Sequence, residues 1–400
     1  MRGKRQRRRR LVIFFALLLI VFLCASFLPA GAEGEGEQGE DLMGNVEEIL
    51  GELNTDELQA YIDSLTDEQR ELFGGNIADK ILSVISGDFS LDYENAFSAL
   101  AGTLFGQITD LLPSFCAICA IALLCGLLDK FKSAFSERGT AKIIFFVGYA
   151  AVLVLILTTF SSIVGECMQT VGSMQAQMQA VFPILLTLIA TSGGSVSVAV
   201  YRPAVLFLSE GIVGVVTGAV FPLAALICVL NMVGNMSGEI RLKNFSALFA
   251  SVIKWTLGIS LAAFTVFLTV QGITSATYDG LSFKAAKYAV SNSVPIIGSF
   301  LGSGFDLVVA GSVLIKNSVG SCGILLLALV LAGPLLQLIA YNLFLKLSAA
   351  VVEPLGDARI ASFLSSLSGT VNYFTAGLLA VGFMYFMTML LLICSSNALF

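Results

Sequence analysis

Apolar residues in this chain come in blocks, with polar residues in the stretches between them. A helix crossing a bilayer needs about 20 mostly apolar residues. Six blocks reach that length: residues 108–128, 143–164, 204–232, 248–271, 317–345 and 373–394. An earlier block, residues 11–28, follows seven Lys/Arg in the first ten positions and precedes Ala30-Gly31-Ala32. A basic start, an apolar middle and a small-x-small end make an export signal, so cleavage after Ala32 is expected; an uncleaved first span is the alternative. Residues 42–107 follow another pattern. Leu42, Val46, Ile49, Leu50 and Leu53 recur at helical spacing, while Asn54 with Glu57 and Thr66 with Gln69 are spaced as capping boxes. Short amphipathic helices are expected there. The pattern as a whole predicts an all-α polytopic membrane protein with a small helical region ahead of the spans.

The later blocks repeat. Pro183 and Pro222 lie 39 positions apart, as do Pro295 and Pro334. At the resulting offset of 112, Ser209-x-Gly211-Ile212 matches Ser321-x-Gly323-Ile324, and the run PLAALIC from Pro222 matches PLLQLIA from Pro334. After a six-residue insertion, Arg241, Phe245, Trp255 and Leu261 fall opposite Arg359, Phe363, Tyr373 and Leu379. Each unit opens with an amphipathic stretch, continues in a short apolar piece starting at Pro183 or Pro295, and then supplies two full spans. Those short pieces end in Ser192-Gly193-Gly194 and Gly302-Ser303-Gly304. Being too short to cross, they are expected to be re-entrant or broken helices. With two spans per unit the repeats run parallel. The expected divisions are a signal peptide (1–32), an acidic extracytoplasmic helical region (33–107), a first transmembrane pair (108–164) and two membrane repeat units (165–276 and 277–400).

Composition sharpens this picture. The chain is 56% hydrophobic and 12% charged, about half the charged share of a soluble domain, so a water-soluble enzyme is excluded. It contains no histidine, which removes imidazole acid–base catalysis and imidazole zinc sites. Residues 33–94 hold 18 Asp/Glu against Arg70 and Lys80, a net of −16. Such a face repels nucleic acid and anionic headgroups, and no nucleic-acid partner is expected. Gly34, Gly36 and Gly39 spell a literal GxGxxG, but their acidic neighbours would repel a pyrophosphate. Lys130, Lys132, Arg138 and Lys142 cluster between the first two blocks; Arg241, Lys243, Lys346 and Arg359 lie in the loops 234–247 and 346–372. Excess Lys/Arg in short loops marks the cytoplasmic side. The acidic region is therefore expected outside, with the lipid bilayer as first partner.

Ionisable groups among apolar residues are the candidate functional positions. Glu210 lies in an apolar run followed by Gly211, Gly214 and Gly218, with Arg202 as a prospective partner. It reads either as part of a polar path or as a carboxyl satisfied by a neighbouring helix. Lys254 near a span end, and Asp306 and Lys316 flanking a short surface helix, read first as structural. Pro183, Gly193, Gly194, Pro222, Pro295, Gly302, Gly304 and Pro334 are the expected helix-break positions. Cys116-x-x-Cys119 has redox spacing, yet within an apolar span it packs as small hydrophobes. With no phosphate-binding loop, catalytic set or metal set in view, no enzyme activity and no cofactor are expected.

The stretch KYAVSNSVPIIG (287–298), together with Leu314-Ile315-Lys316-Asn317-Ser318-Val319-Gly320, resembles the stage III sporulation protein AE family over roughly residues 95–400. The resemblance implies a role in endospore formation, within the mother-cell membrane that surrounds the forespore. It further implies a permease-like platform or pore subunit of a channel complex joining the two compartments. The implied partners are a secretion-type ATPase, ring-forming single-span proteins and a forespore membrane protein. An independent secondary transporter, using Glu210 and the broken helices as a midplane site, is the alternative from another class.

Overall fold

The structure, a computed structural model, describes residues 37–53, 55–66, 70, 76–86, 93–131, 138–236, 242–293, 298–355 and 357–395. The export signal, both complete capping boxes and Pro295 lie outside them. Among the described residues the chain is helical throughout, without a strand. Three short helices come first: α1 (Glu37–Glu52), α2 (Asp56–Asp63) and α3 (Ile77–Ile85). Two long ones follow, α4 (Tyr93–Phe131) and α5 (Arg138–Thr191). Next comes an unbroken descent of α6 (Ser195–Leu206), α7 (Val213–Val215) and α8 (Phe221–Met236), joined by π-helical stretches at Phe207–Ile212 and Val216–Val220. The chain closes with α9 (Lys243–Ser293), α10 (Gly298–Leu355) and α11 (Ala358–Cys394).

Six segments are long and apolar enough to cross a membrane: Phe105–Leu127, Phe146–Thr191, Glu210–Met236, Lys243–Val270, Asp306–Pro354 and Ala358–Cys394. The expected six blocks fall within or across them in order. This is an all-α polytopic membrane protein.

The helices are longer than the blocks. α5 has 54 residues and α10 has 58, so at 1.5 Å per residue they run about 81 and 87 Å. A hydrocarbon core of about 30 Å cannot contain them. At one end of the bundle α1 and α3 pack on α10 and α2 packs on α5, and Thr191 Oγ1 at the end of α5 donates to Ser312 Oγ of α10 at 3.0 Å. At the opposite end Tyr149 Oη donates to the Met232 carbonyl at 2.8 Å and its ring meets Phe363. The expected boundaries at 107/108, 164/165 and 276/277 all fall inside continuous helices, because nothing at them stops a helix.

The apolar core runs the length of the bundle. Val152, Ile156 and Phe160 of α5 lead into Val171, Met174 and Met178, all buried. Phe374 of α11 sits between Phe160 and Phe221, with ring centroids 5.6 and 5.1 Å away. Helices α10 and α11 form the centre of the bundle, while α4 and α9 are its least buried spans.

Several expected breaks are absent. α5 runs through Pro183, α10 through Gly302, Gly304 and Pro334, and the descent through Pro222. A proline in a membrane helix leaves one carbonyl without its N–H, a loss that local π adjustments and Ser/Thr side chains offset. The Phe221 N–H reaches back to Val216 in a wider turn just before Pro222. Glycines without positive φ simply continue the helix. The break that does occur is at Gly193, whose φ is 90°. The Gly194 N–H bonds the Ile189 carbonyl at 2.8 Å and the Gly193 N–H bonds Ala190 at 3.1 Å, closing α5 as glycine-terminated helices commonly close.

Candidate functional site

The polar groups inside the bundle form a ladder of contacts between helices. Near the end opposite α1–α3, Asn231 Nδ2 of α8 donates to Thr370 Oγ1 at 3.3 Å. Asn342 of α10 donates to the Ser368 carbonyl at 2.9 Å and to Asn372 Oδ1 at 3.0 Å. Further along α5, the Glu166 side chain lies close to Gln337 of α10. Gln175 Nε2 then donates to Glu210 Oε1 at 3.4 Å, and Gln177 Nε2 to the Gly323 carbonyl at 2.6 Å. At the top, Lys316 Nζ donates to the Ser395 carbonyl at 2.8 Å. With no competing water, each such bond holds two helices in register, for about 0.6–2 kcal/mol.

Glu210 occupies the first π-helical stretch, whose wider turn follows Pro203. It is exposed, and the helical descent continues on both sides of it. Its described partner is Gln175, not Arg202; Arg202 is exposed about 12 Å further along the helix axis. Tyr385 of α11 lies within electrostatic reach of Glu210, is fully buried, and its hydroxyl has no hydrogen-bond partner. Glu210, Gln175 and Tyr385 thus lie near one another on the descent, α5 and α11.

The other singled-out charges scatter. Lys316 is fully buried in α10, in continuous helix rather than flanking a short one. Asp306 is half-buried in the same helix. Lys254 is exposed on α9, eleven residues beyond Lys243 and about 17 Å along the helix. Gln177, Glu166, Gln337 and the Asn342–Asn372 pair were not among the expected site residues. Glu166 falls outside the 143–164 block, and the partners of the neutral amides lie on helices remote in sequence.

Among the described residues no group of three His, Cys, Asp or Glu is placed to hold a metal ion. The seven described cysteines are all free, Cys116 and Cys119 included.

The profile of the family described as stage III sporulation protein AE matches residues 76–396, from the N-cap of α3 to just beyond α11. The chain belongs to the stage III sporulation protein AE family. A relative of that name from Bacillus subtilis (strain 168) is 27% identical over 387 residues, covering 94% of this chain and 97% of its own length. No solved structure is a significant match. The family places this multi-pass membrane protein in sporulation and is not a known enzyme family. Its match covers α3 and all six spans, and so every rung of the polar ladder.

Proposed function

We propose that this member of the stage III sporulation protein AE family is the membrane platform of a trans-envelope channel complex joining mother cell and forespore. It sits in the mother-cell membrane around the forespore, with α1–α3 on the extracytoplasmic side. The observation that carries the reading is length. Helices α5 and α10 exceed the hydrocarbon thickness by more than a factor of two, and at one end of the bundle they pack with α1–α3. That geometry suits a rigid post reaching from one membrane toward a second. The clustering of Lys/Arg in the loops at the other end supports the orientation.

The partners that the family resemblance implies are a secretion-type ATPase on the basic side and ring-forming proteins and a forespore membrane protein on the acidic side. A conduit needs such partners, because apolar side chains fill the described core of a single chain. The transporter alternative needs Glu210 at the bilayer midplane, and transport by the reconstituted chain that is lost in Glu210→Gln would favour it. The parallel repeat is also part of this proposal. Residues 165–276 and 277–400 each run as helix tail, descending helix and ascending helix.

Deleting the gene and counting heat-resistant spores tests the role. A loss of several orders of magnitude is expected, and normal sporulation would refute it. Copurification from sporulating cells then separates a complex subunit from a lone transporter.

A further inference from the structure

We infer that bilayer hydrocarbon surrounds only the half of the bundle that carries the α4–α5, α8–α9 and α10–α11 connections, up to Met168 of α5, and that the other half stands in water. The sign of it is where large apolar side chains face outward. On α5 these are Phe146, Val147, Val154 and Met168, and none follows among the described residues up to Thr191. The outward positions there include Gln169, Gly172, Gln179 and Thr187 instead. This upper stretch is apolar in composition because of its inward side, where Val181, Phe182, Leu185 and Leu188 are buried against protein. Lipid meets only what faces out. An apolar inner face with a polar outer one is the pattern of a helix packing on a core in water.

The outward apolar residues of the other helices occupy the same height. They run from Phe105 to Leu127 on α4 and from Phe245 to Val270 on α9, about 33 and 37 Å, against about 33 Å from Phe146 to Met168. A hydrocarbon core is about 30 Å thick, so the belt fits one bilayer. Its lower edge is level across the bundle, because Tyr149 of α5 meets both Met232 and Phe363. At its upper edge the exposed Phe207 ring of the descent meets Phe267 of α9, 5.8 Å away. Beyond the belt, among the described residues, Val308 alone exposes a large apolar side chain. Exposed bases, Lys243 and Arg359, mark the lower rim, and the exposed acid Asp110 lies near the upper one. Inside the belt the exposed hydroxyls of Thr158 and Thr265 donate to carbonyls of their own helices at 2.9 and 2.8 Å, which suits lipid. Lys254 is an exposed base within it, and its stem leans toward the N-terminal, basic end of α9, the direction in which it reaches headgroups. The end of α5 at Thr191 then lies about 35 Å beyond Met168, well clear of the lipid.

The full chain in lipid nanodiscs, open to water on both faces, tests this on a background of Cys116→Ser with Cys394→Ser, which removes the two exposed thiols among the described cysteines. Single cysteines replace Val154 and Ile259 inside the belt, and Gln179 and Thr187 beyond it. All four positions face outward, so the core packing is left as it is. A sulfonated maleimide attacks a hydrated thiolate, so Gln179→Cys and Thr187→Cys should react about a hundred-fold faster than Val154→Cys and Ile259→Cys. A fluorophore on Val154→Cys should be quenched by lipids brominated along their acyl chains, and the same fluorophore on Thr187→Cys should not. Thiols at 179 and 187 as slow as those at 154 and 259 would overturn the inference, and so would quenching at 187. Equally fast reaction at all four would overturn it too, since no hydrocarbon would then cover the belt. The inference rests on the chain being a membrane protein, not on the channel-complex reading, and spore counts do not enter its test.

Discussion

Single residues in this bundle act through contacts that their neighbours in sequence do not announce. Gly377 of α11 is the clearest: a Cβ there would meet Phe221 Cε1 at 2.6 Å and Val216 Cγ1 at 3.3 Å. Gly377→Ala is therefore expected to cost about 1–3 kcal/mol by overpacking. Gly369→Ala, with open space around its Cβ, should be neutral; thermal melts in detergent compare the two. Tyr61 of α2 gives a pH prediction outside the membrane. Its hydroxyl is buried without a partner, and burial pushes its pKa above the ordinary tyrosine range. The folded state holds that proton more tightly than the unfolded one. Its contribution is thus complete below about pH 10, the ordinary value, and is lost as pH rises beyond it. Once the base-catalysed rise of intrinsic exchange is divided out, protection of α2 amides should fall above that pH in the native chain and stay level in Tyr61→Phe. At neutral pH Tyr61→Phe should be no less stable, since it removes an unpaired buried hydroxyl.

Among the elements, the contrast between Pro183 and Gly193 is instructive. Both were read as break positions from residue type, yet α5 passes through the proline and stops at the glycine ten residues later. A missing N–H is tolerable inside a packed membrane helix, whereas a φ of 90° is a backbone state that only glycine enters without strain. Gly193→Ala should accordingly destabilise the α5–α6 turn by about 1–2 kcal/mol, while Pro183→Ala should leave the helix intact. Proteolysis or exchange at residues 190–196 distinguishes the two variants. The π stretches show the same economy on the descent, where Pro203 and Pro222 lie beside widened turns instead of kinks. Element type and order were legible from apolar block length. Element ends were not, because one helix continues from membrane to solvent without a signal in residue type.

For the whole molecule, the count of spans and the family were legible, and the polar ladder was not. Block length and the absence of histidine are local properties, so one chain read alone determined an all-α membrane body without imidazole chemistry. The motif around 287–298 supplied the family, which the profile match over 76–396 bears out. By contrast, Gln177 meets a carbonyl 146 residues away and Thr191 a hydroxyl 121 residues away. Pairings of that range depend on which helices become neighbours, and that choice is made by the packing of all of them together. The same holds for depth: a lysine or glutamate in an apolar run has a known cost but no known place until its helix is positioned. Tertiary structure alone brought Gln175 to Glu210, buried Lys316, and left Lys254 facing outward.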